Sequence, residues 1–231
     1  MNERLNKYLA FHLGISRREA DSLITSGVVM IDGTPAQLGA RLDESSAVTV
    51  RGNPLHHRKS YTYLMLHKPV GYVSSRKQQG DIPTIYSLLP KQYHHLKTVG
   101  RLDKETSGLL LLSDDGTFTY QMTHPKFYKV KQYEVTIDKA LEPLHQQMIS
   151  DFGIQLEDGR SVLQLEHLDD GHTHWRVIMH EGRNRQIRRT FAALGYIVTK
   201  LHRTHFGPYT LDGLESGKIR MLDTKEEHKE E

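Results

Sequence analysis

The sequence predicts a two-domain α+β fold. Two short helix patterns open the chain, and from Tyr61 onward strand patterns alternate with shorter helix patterns. Hairpin-like turn sequences at 157–159 and 169–171 favour antiparallel pairing. We therefore expect a small domain over residues 1–50, a linker over 51–60, a larger domain over 61–222, and a tail over 223–231.

The N-terminal segment has the pattern helix, helix, strand. Leucines recur at helical spacing up to Gly14, and Ser16 with Glu19 forms a capping-box pattern that opens a second helix ending near Gly27. An apolar run over 28–31 meets the turn dipeptide Asp32-Gly33, and residues 48–50 can supply the closing strand.

Residues 51–60 combine turn-forming residues and positive charge with little apolar content, which is typical of a linker. Both strands and helices are predicted in the larger domain. Strands are expected over 61–66, 109–112, 129–137, 162–168, 174–179 and 196–201, and helices near 117–122, 141–149 and 185–194.

Composition excludes several classes of function. The 231 residues are 37% hydrophobic, enough for a core, and there is no apolar run of about 18 residues and no apolar signal segment. We expect a cytoplasmic protein, a monomer, with no membrane partner. The absence of cysteine excludes disulfides and thiolate metal sites, and no His-Glu-x-x-His or glycine-rich nucleotide motif occurs. We therefore expect no metal and no bound cofactor.

The charge of the chain is unevenly distributed. The formal net charge is +3, but the tail carries −3, which leaves +6 on the rest. We expect the acidic tail to be disordered. Residues 182–211 hold six basic residues and no acidic one, which indicates a surface that contacts phosphates. A solvated basic face is the alternative interpretation.

The segment 100–112 is the most informative in the chain. It places one carboxylate, Asp103, between Arg101 and Lys104 and just before four leucines. The leucine run, bounded by polar turn residues, predicts a buried strand, so Asp103 lies on a loop held at a sheet edge. Taken alone, Asp103 is better explained as a residue that caps a turn or pairs with Arg101.

This loop resembles the signature loop of pseudouridine synthases. The wider pattern is similar to the branch of that family that modifies ribosomal RNA and carries an S4 RNA-binding domain in front. The matching segments are residues 16–20, 68–72, 100–103, 131–133 and 181–189. The resemblance implies a central, mostly antiparallel sheet with an RNA cleft across it, and an S4-like domain over residues 1–50.

The resemblance also implies the chemistry. Pseudouridine formation breaks the bond from ribose C1′ to N1 and rejoins C1′ to C5, so it needs a nucleophile and no cofactor. Asp103 is the candidate nucleophile, and whether it attacks C1′ or assists elimination is open. We assign Arg188 as its ion-pair partner, with Arg183 the next choice, and Tyr133 as the residue that stacks on the target base.

Other basic residues are expected to contact RNA. Arg101 would fill the gap left by a flipped nucleotide, and Lys131 could meet a phosphate. The expected RNA-binding residues are Arg17, Arg18, Arg101, Lys131, Arg183, Arg185 and Arg189. Every assigned residue also has a purely structural alternative. For example, Tyr133 could be a half-buried strand tyrosine, and Arg188 could be a surface arginine.

The predicted partner is ribosomal RNA or a pre-ribosomal particle. The form of residues 181–189 favours large-subunit over small-subunit rRNA. Two alternatives remain open: a non-enzymatic S4-type RNA-binding or ribosome-assembly protein, and a pseudouridine synthase acting on tRNA.

Overall fold

A computed structural model describes residues 3–43, 45–55, 60–78 and 80–222, which form two compact units. The described residues up to 62, together with 95–97, form the first unit, and the other described residues form the second. The predicted linker over 51–60 is partly wrong: residues 53–54 are a strand of the first unit. Residues 56–59 and the predicted tail, 223–231, lie outside the described residues. None of the described helices is long and apolar enough to cross a membrane.

The first unit consists of two helices and short strands. In chain order the elements are β1 (Glu3–Arg4), α1 (Leu5–Leu13), α2 (Arg17–Thr25), β2 (Val29–Ile31), β3 (Thr34–Pro35), β4 (Arg41–Leu42), β5 (Val48–Val50) and β6 (Asn53–Pro54). The capping box at α2 is confirmed, because Ser16 Oγ accepts a hydrogen bond from Glu19 N and the Glu19 carboxylate accepts one from Ser16 N. Leu5, Leu9 and Ile24 pack in the core of this unit.

The second unit contains the larger sheet. Its strands are β7 (Tyr63–Lys68), β8 (Lys97–Val99), β9 (Ser107–Ser113), β10 (Lys131–Ile137), β11 (Ile154–Leu156), β12 (Gly159–Ser161), β13 (Gln164–His167), β14 (His174–Met179), β15 (Val198–Phe206), β16 (Tyr209–Thr210) and β17 (Ile219–Met221). Its helices are α3 (Gly116–Thr123), α4 (Pro143–Gln147), which continues as a π-helical turn over Met148–Phe152, and α5 (Gln186–Ala192). Short 3-10 turns lie at Ile85–Leu88, Lys91–Tyr93 and Pro125–Phe127.

The central sheet has the order β13-β14-β10-β15-β9-β7-β17, with β16 beside β15 and β8 beside β9. Its named neighbours along this order are antiparallel except β9 and β15, which are parallel. The predicted α+β class is confirmed, and so are the six predicted strands of this domain, with shifted ends. The largest difference is at β15, which continues to Phe206 instead of ending at Leu201.

The parallel pair β9–β15 brings two backbones unusually close at Gly108. This glycine has φ +112°, and a Cβ built on it would lie 2.2 Å from the carbonyl oxygen of Arg203. No side chain fits at that distance, so glycine permits the approach of the two strands. Since β9 begins directly after the loop of Asp103, this contact fixes where that loop leaves the sheet.

We predict that Gly108→Ala lowers the free energy of unfolding by roughly 3 kcal/mol or more, because it adds both backbone strain and overlap with Arg203. Chemical denaturation is the measurement. Gly116→Ala is the matched control, since its Cβ would meet no atom within 4 Å, and we expect no loss of stability. Equal unfolding midpoints for the two variants would contradict the assigned role of Gly108.

Candidate active site

A cavity of about 580 Å³ opens in the second unit between the Asp103 loop, β10, β15 and the segment that precedes α5. Residues predicted from the sequence as functional line it together with several that were not predicted. The lining comprises Gly100, Arg101, Leu102, Asp103, Thr106, Thr123, Pro125, Lys131, Tyr133, Met179, His180, Glu181, Gly182, Arg183, Asn184, Arg185, Gln186, Ile187, Leu201, Arg203 and Phe206.

The Asp103 loop is fixed on both sides of the carboxylate. Ser74 Oγ donates to the carbonyl of Leu102 at 2.8 Å and accepts from its amide at 3.2 Å. Leu102 itself is buried, whereas the Asp103 side chain is 35% exposed. Asp103 therefore stands on an anchored loop with its carboxylate open to the cavity.

Lys68 holds the same loop from below. Its ammonium donates to the carbonyls of Asp103 at 3.0 Å, Thr106 at 2.8 Å and Pro69 at 3.0 Å. The side chain is fully buried, and burial lowers the pKa of Lys68 to about 8, against the opposing effect of the Asp103 and Glu105 charges. Lys68 was not among the predicted site residues, because a lysine before a proline is by itself a weak signal.

The predicted ion pair between Asp103 and Arg188 is not what the structure shows. Arg185 Nη1 lies 3.8 Å from Asp103 Oδ2 and 3.3 Å from Glu105 Oε2. Arg188 instead donates to the carbonyls of Glu105 and Val198, at 3.0 and 2.7 Å, and burial lowers its pKa. Arg185 precedes α5 in a left-handed conformation, φ 47°, which the sequence pattern does not reveal.

Arg183 and Arg189 also differ from their predicted role as free RNA contacts. The Asp158 carboxylate accepts from both, at 2.9 Å from Arg183 Nη1 and at 2.6 and 3.1 Å from the Nη atoms of Arg189. The hydrogen bonds from Arg189 hold the pKa of Asp158 below its usual value. The tip of the β11–β12 hairpin is thereby tied to the segment around α5. Arg183 is consequently not the partner of Asp103.

The floor of the cavity is formed by Tyr133, Lys131 and Arg203, which are at most 9% exposed. Lys131 Nζ donates to the carbonyls of His180 and Glu181, at 3.2 and 3.4 Å, so its ammonium is engaged inside the protein and not exposed to phosphate as predicted. Burial, with a smaller effect of Arg203, lowers the pKa of Lys131 to about 8. Arg203 was not predicted, because the strand pattern ended at Leu201.

Two polar atoms at this floor lack a partner. Arg203 donates through Nε to the carbonyl of Leu109 and lies over the Phe206 ring, but its Nη2 has no hydrogen-bond partner among the described residues. The same holds for Thr106 Oγ1, and both residues line the cavity. Because a buried polar group without a partner is costly, both atoms are suited to bind polar groups of a ligand.

The remaining predicted residues lie at the surface. Arg101 is exposed at the rim of the cavity. Arg17 and Arg18 are exposed in the first turn of α2, and Arg17 Nη2 donates to Asn6 Oδ1 at 3.0 Å. Within the described ranges, no group of three or more histidine, aspartate or glutamate residues could hold a metal ion.

The structure brings a loop aspartate, a tyrosine and arginines around one cavity of a mostly antiparallel sheet, which is the arrangement that the resemblance to pseudouridine synthases implies. The RNA pseudouridylate synthase family profile matches residues 62–193, more than half of the chain. The chain therefore belongs to the RNA pseudouridylate synthase family, and it is an isomerase.

Full-length relatives agree with this assignment. The chain is 36% identical to ribosomal small subunit pseudouridine synthase A of Pasteurella multocida, over 96% of this chain and 97% of the relative. It is 35% identical to ribosomal large subunit pseudouridine synthase B of Bacillus subtilis, over 97% and 93%. A crystal structure of a pseudouridylate synthase superimposes with a TM-score of 0.69 at 31% identity and covers 97% of both chains.

We predict that Lys68→Met changes how stability depends on pH. The pKa of Lys68 is about 8 when folded and near 10.5 when unfolded, so between these values the unfolded chain binds more protons, and Lys68 adds stability as pH rises. The variant should gain less stability than wild type from pH 8 to 10.5, by up to about 3 kcal/mol, in urea denaturation.

The exposed Lys104 provides the control for this experiment, because Lys104→Met should keep the wild-type slope. Parallel stability profiles for Lys68→Met and wild type would show that Lys68 does not have a lowered pKa in the folded protein.

Proposed function

We propose that this protein converts a uridine of ribosomal RNA to pseudouridine, with Asp103 as the nucleophile acting on a flipped-out nucleotide. The observation that carries the proposal is the position of Asp103. Its carboxylate faces the cavity from an anchored loop, 3.8 Å from Arg185, above a floor that contains Tyr133. The relatives named as ribosomal pseudouridine synthases support the choice of substrate.

The environment of Asp103 suits a carboxylate nucleophile. A carboxylate covered by a bound base would tend to take up a proton unless a cation remained beside it, and the Arg185 guanidinium provides that charge. In the reaction the bond from C1′ to N1 breaks, the bond from C1′ to C5 forms, the hydrogen on C5 leaves as a proton, and N1 takes up a proton. Asp103 attacks C1′ or assists the elimination that detaches the base.

The floor of the cavity is suited to hold the base while it is detached and turned. Tyr133 offers a ring for stacking, and the free Nη2 of Arg203 and hydroxyl of Thr106 offer partners for uracil oxygens. When the bond from C1′ to N1 breaks and the electron pair stays with N1, the detached uracil carries negative charge. Arg203 and the nearby Lys131 are buried cations that would stabilise this charge in a site of low dielectric constant.

Contacts outside the cavity would bind the surrounding RNA. Arg101, exposed at the rim, is placed to fill the gap that a flipped nucleotide leaves. We further propose that the domain predicted over residues 1–50, whose described part contains two helices and most of a four-stranded sheet, is an S4-like RNA-binding domain that uses Arg17 and Arg18. A ribosomal RNA substrate would place the enzyme in the cytoplasm.

Large-subunit rRNA remains our preferred substrate, because of the form of residues 181–189. The relatives carry both names, small-subunit and large-subunit, at nearly equal identity, so the preference rests on that segment alone. A tRNA substrate and a non-enzymatic RNA-binding role are the alternatives that the following experiment separates.

We predict that Asp103→Asn abolishes tritium release from RNA labelled at uridine C5, by roughly 10³-fold or more, because it removes the nucleophile. RNA affinity should stay within about threefold, because Asp103 acts on the bound base and not on the backbone. The substrates are separate 16S and 23S transcripts, assembled particles and tRNA, and Asp114→Asn is the control for loss of a carboxylate outside the cavity.

Each outcome of this assay has a distinct meaning. Release from one rRNA by wild type alone identifies both reaction and subunit, whereas release only from tRNA contradicts the rRNA substrate. RNA binding without release from transcripts or particles would favour a binding protein. Release by Asp103→Asn at the wild-type rate would exclude Asp103 as the nucleophile.

A second prediction separates the two arginines near Asp103. Arg185→Gln should lower kcat by about 10- to 100-fold without loss of stability, because it removes the ion pair of a partly exposed side chain. Arg188→Gln should lower both activity and stability, the latter by about 1–3 kcal/mol, because it removes donors to two backbone carbonyls. Arg185→Lys should restore part of the activity.

Steady-state kinetics and denaturation of the same preparations test this assignment. If Arg185→Gln is fully active while Arg188→Gln is inactive and as stable as wild type, Arg188 is the ion-pair partner that the sequence favoured.

A further inference from the structure

Beside the cavity lies a cluster of aromatic and basic side chains that the reaction does not use. It is formed by the end of α3 and the turn that follows, and we call it the aromatic rim. Its members are Tyr120, His124, Lys126, Phe127, Tyr128 and Lys129. Tyr120 is 45% and Tyr128 73% exposed, so both rings offer surface to a ligand.

The rim is an ordered surface in which a cation is fixed against rings. Lys126 Nζ lies 5.0 Å from the centre of the Tyr120 ring and 4.7 Å from that of Phe127. The Tyr120 and Phe127 rings meet edge to face at 5.5 Å, and His124 lies 4.7 Å from Tyr120. These contacts hold positive charge and ring surface together.

Tyr128 is presented from a strained backbone. Its φ of 47° is in the left-handed region, which a bulky residue rarely adopts. The turn is held because Tyr128 N donates to the Pro125 carbonyl at 3.0 Å and the Tyr128 carbonyl accepts from His180 Nδ1 at 3.0 Å. Among the described residues the Tyr128 ring has no hydrogen-bond or ring partner, so the fold fixes the backbone and leaves the ring exposed.

The rim is continuous with the cavity and carries only positive charge. Thr123, Pro125 and His180, which belong to the same segment or bind it, line the cavity together with Asp103. From Gly116 to Tyr133 the sequence contains no acidic residue and three lysines. A polyanionic chain that leaves the cavity on this side would therefore meet favourable charge next to an exposed ring.

We propose that the aromatic rim binds an unpaired nucleotide of the RNA next to the target uridine, with its base stacked on Tyr128 and adjacent phosphates at Lys126 and Lys129. Exposed rings beside basic residues are the combination that binds single-stranded RNA, because every base offers a stacking face. Flipping a uridine out of a helix unstacks its neighbour, and the rim would receive that neighbour. This inference rests on the proposed function of the cavity.

The test compares variants of Tyr128 in filter binding and in tritium release on the 16S or 23S transcript. Tyr128→Ala and Tyr128→Asn should weaken the Kd and lower kcat/KM by about tenfold, and Tyr128→Phe should stay within about twofold of wild type. Asparagine tolerates the left-handed conformation, so its loss would come from the ring and not from misfolding. Phe152→Ala removes another exposed ring, 60% exposed and outside the cavity lining, and should change nothing.

The lysines give an independent readout. Lys126→Ala with Lys129→Ala should reduce the dependence of log Kd on log salt concentration by the equivalent of about two phosphate contacts, whereas Tyr128→Asn should leave that slope unchanged. If Tyr128→Ala and Tyr128→Asn both bind and convert RNA as well as wild type does, the proposal is overturned. Tritium release by the wild-type protein would still support the pseudouridine synthase function in that case.

Failure of the proposed function would have a different signature. If the wild-type protein releases no tritium from any RNA, the proposed pseudouridine synthase function fails. The filter-binding measurements then still decide whether the rim contacts RNA. An effect of Tyr128→Asn on assembled particles alone, with transcripts bound and converted normally, would assign the rim to a protein partner and overturn RNA stacking. Failure of the wild-type chain to bind either transcript would also overturn it.

Discussion

The buried ammonium of Lys68 is the interaction on which the active-site arrangement depends. One side chain at the end of β7 binds the carbonyls of Asp103 and Thr106, so a single buried ammonium holds the loop at the carboxylate and at the start of β9. The cost of burying the charge is visible in the lowered pKa of Lys68. Since β9 starts at the far end of this loop and passes Arg203 at Gly108, the loop is fixed by a cation at one end and by strand contact at the other.

The arginines before and within α5 are close in sequence but have different binding partners. Asp158 binds Arg183 and Arg189, backbone carbonyls bind Arg188, and Arg185 faces Asp103. Gln186 adds to this division, because it is buried and its Nε2 donates to Glu181 Oε1 and Ser161 Oγ. The segment that carries Arg185 is therefore held by fixed arginines and polar groups, so little reorganisation is needed when RNA binds.

The cations under the cavity are buried, whereas the cations of the aromatic rim lie at the surface. Lys131 and Arg203 lie under the cavity, where both are nearly inaccessible to water, and Arg203 forms no ion pair within the described part of the chain. Buried cations are costly, and proteins place such groups mainly where they act. Lys126 and Lys129 lie instead at the surface of the rim, where salt screens them, which suits contacts with phosphates that form and break. The buried pair thus fits the proposed role at the reacting base, and the exposed pair fits the proposed contacts with phosphates of the adjacent RNA.

The sequence by itself determined the order of elements and the identity of the loop carboxylate. Apolar periodicity and turn dipeptides are local signals, and they predicted the capping box of α2, the buried strand after Asp103 and the hairpins at 157–159 and 169–171. The α+β class followed from them. Asp103, Tyr133 and Lys131 were found because they lie in short motifs, and all three line one cavity.

Only the tertiary structure decided which side chains meet. The choice of Arg185 over Arg188 depends on a left-handed residue before α5, and the roles of Arg183 and Arg189 depend on Asp158, some 25 to 31 residues away in sequence. Arg203 and Lys68 became site residues through strand pairing across even longer separations. A local pattern fixes which way a strand or helix face points, but the partner of a long flexible arginine or lysine is set by whatever the packing of distant strands brings within its reach.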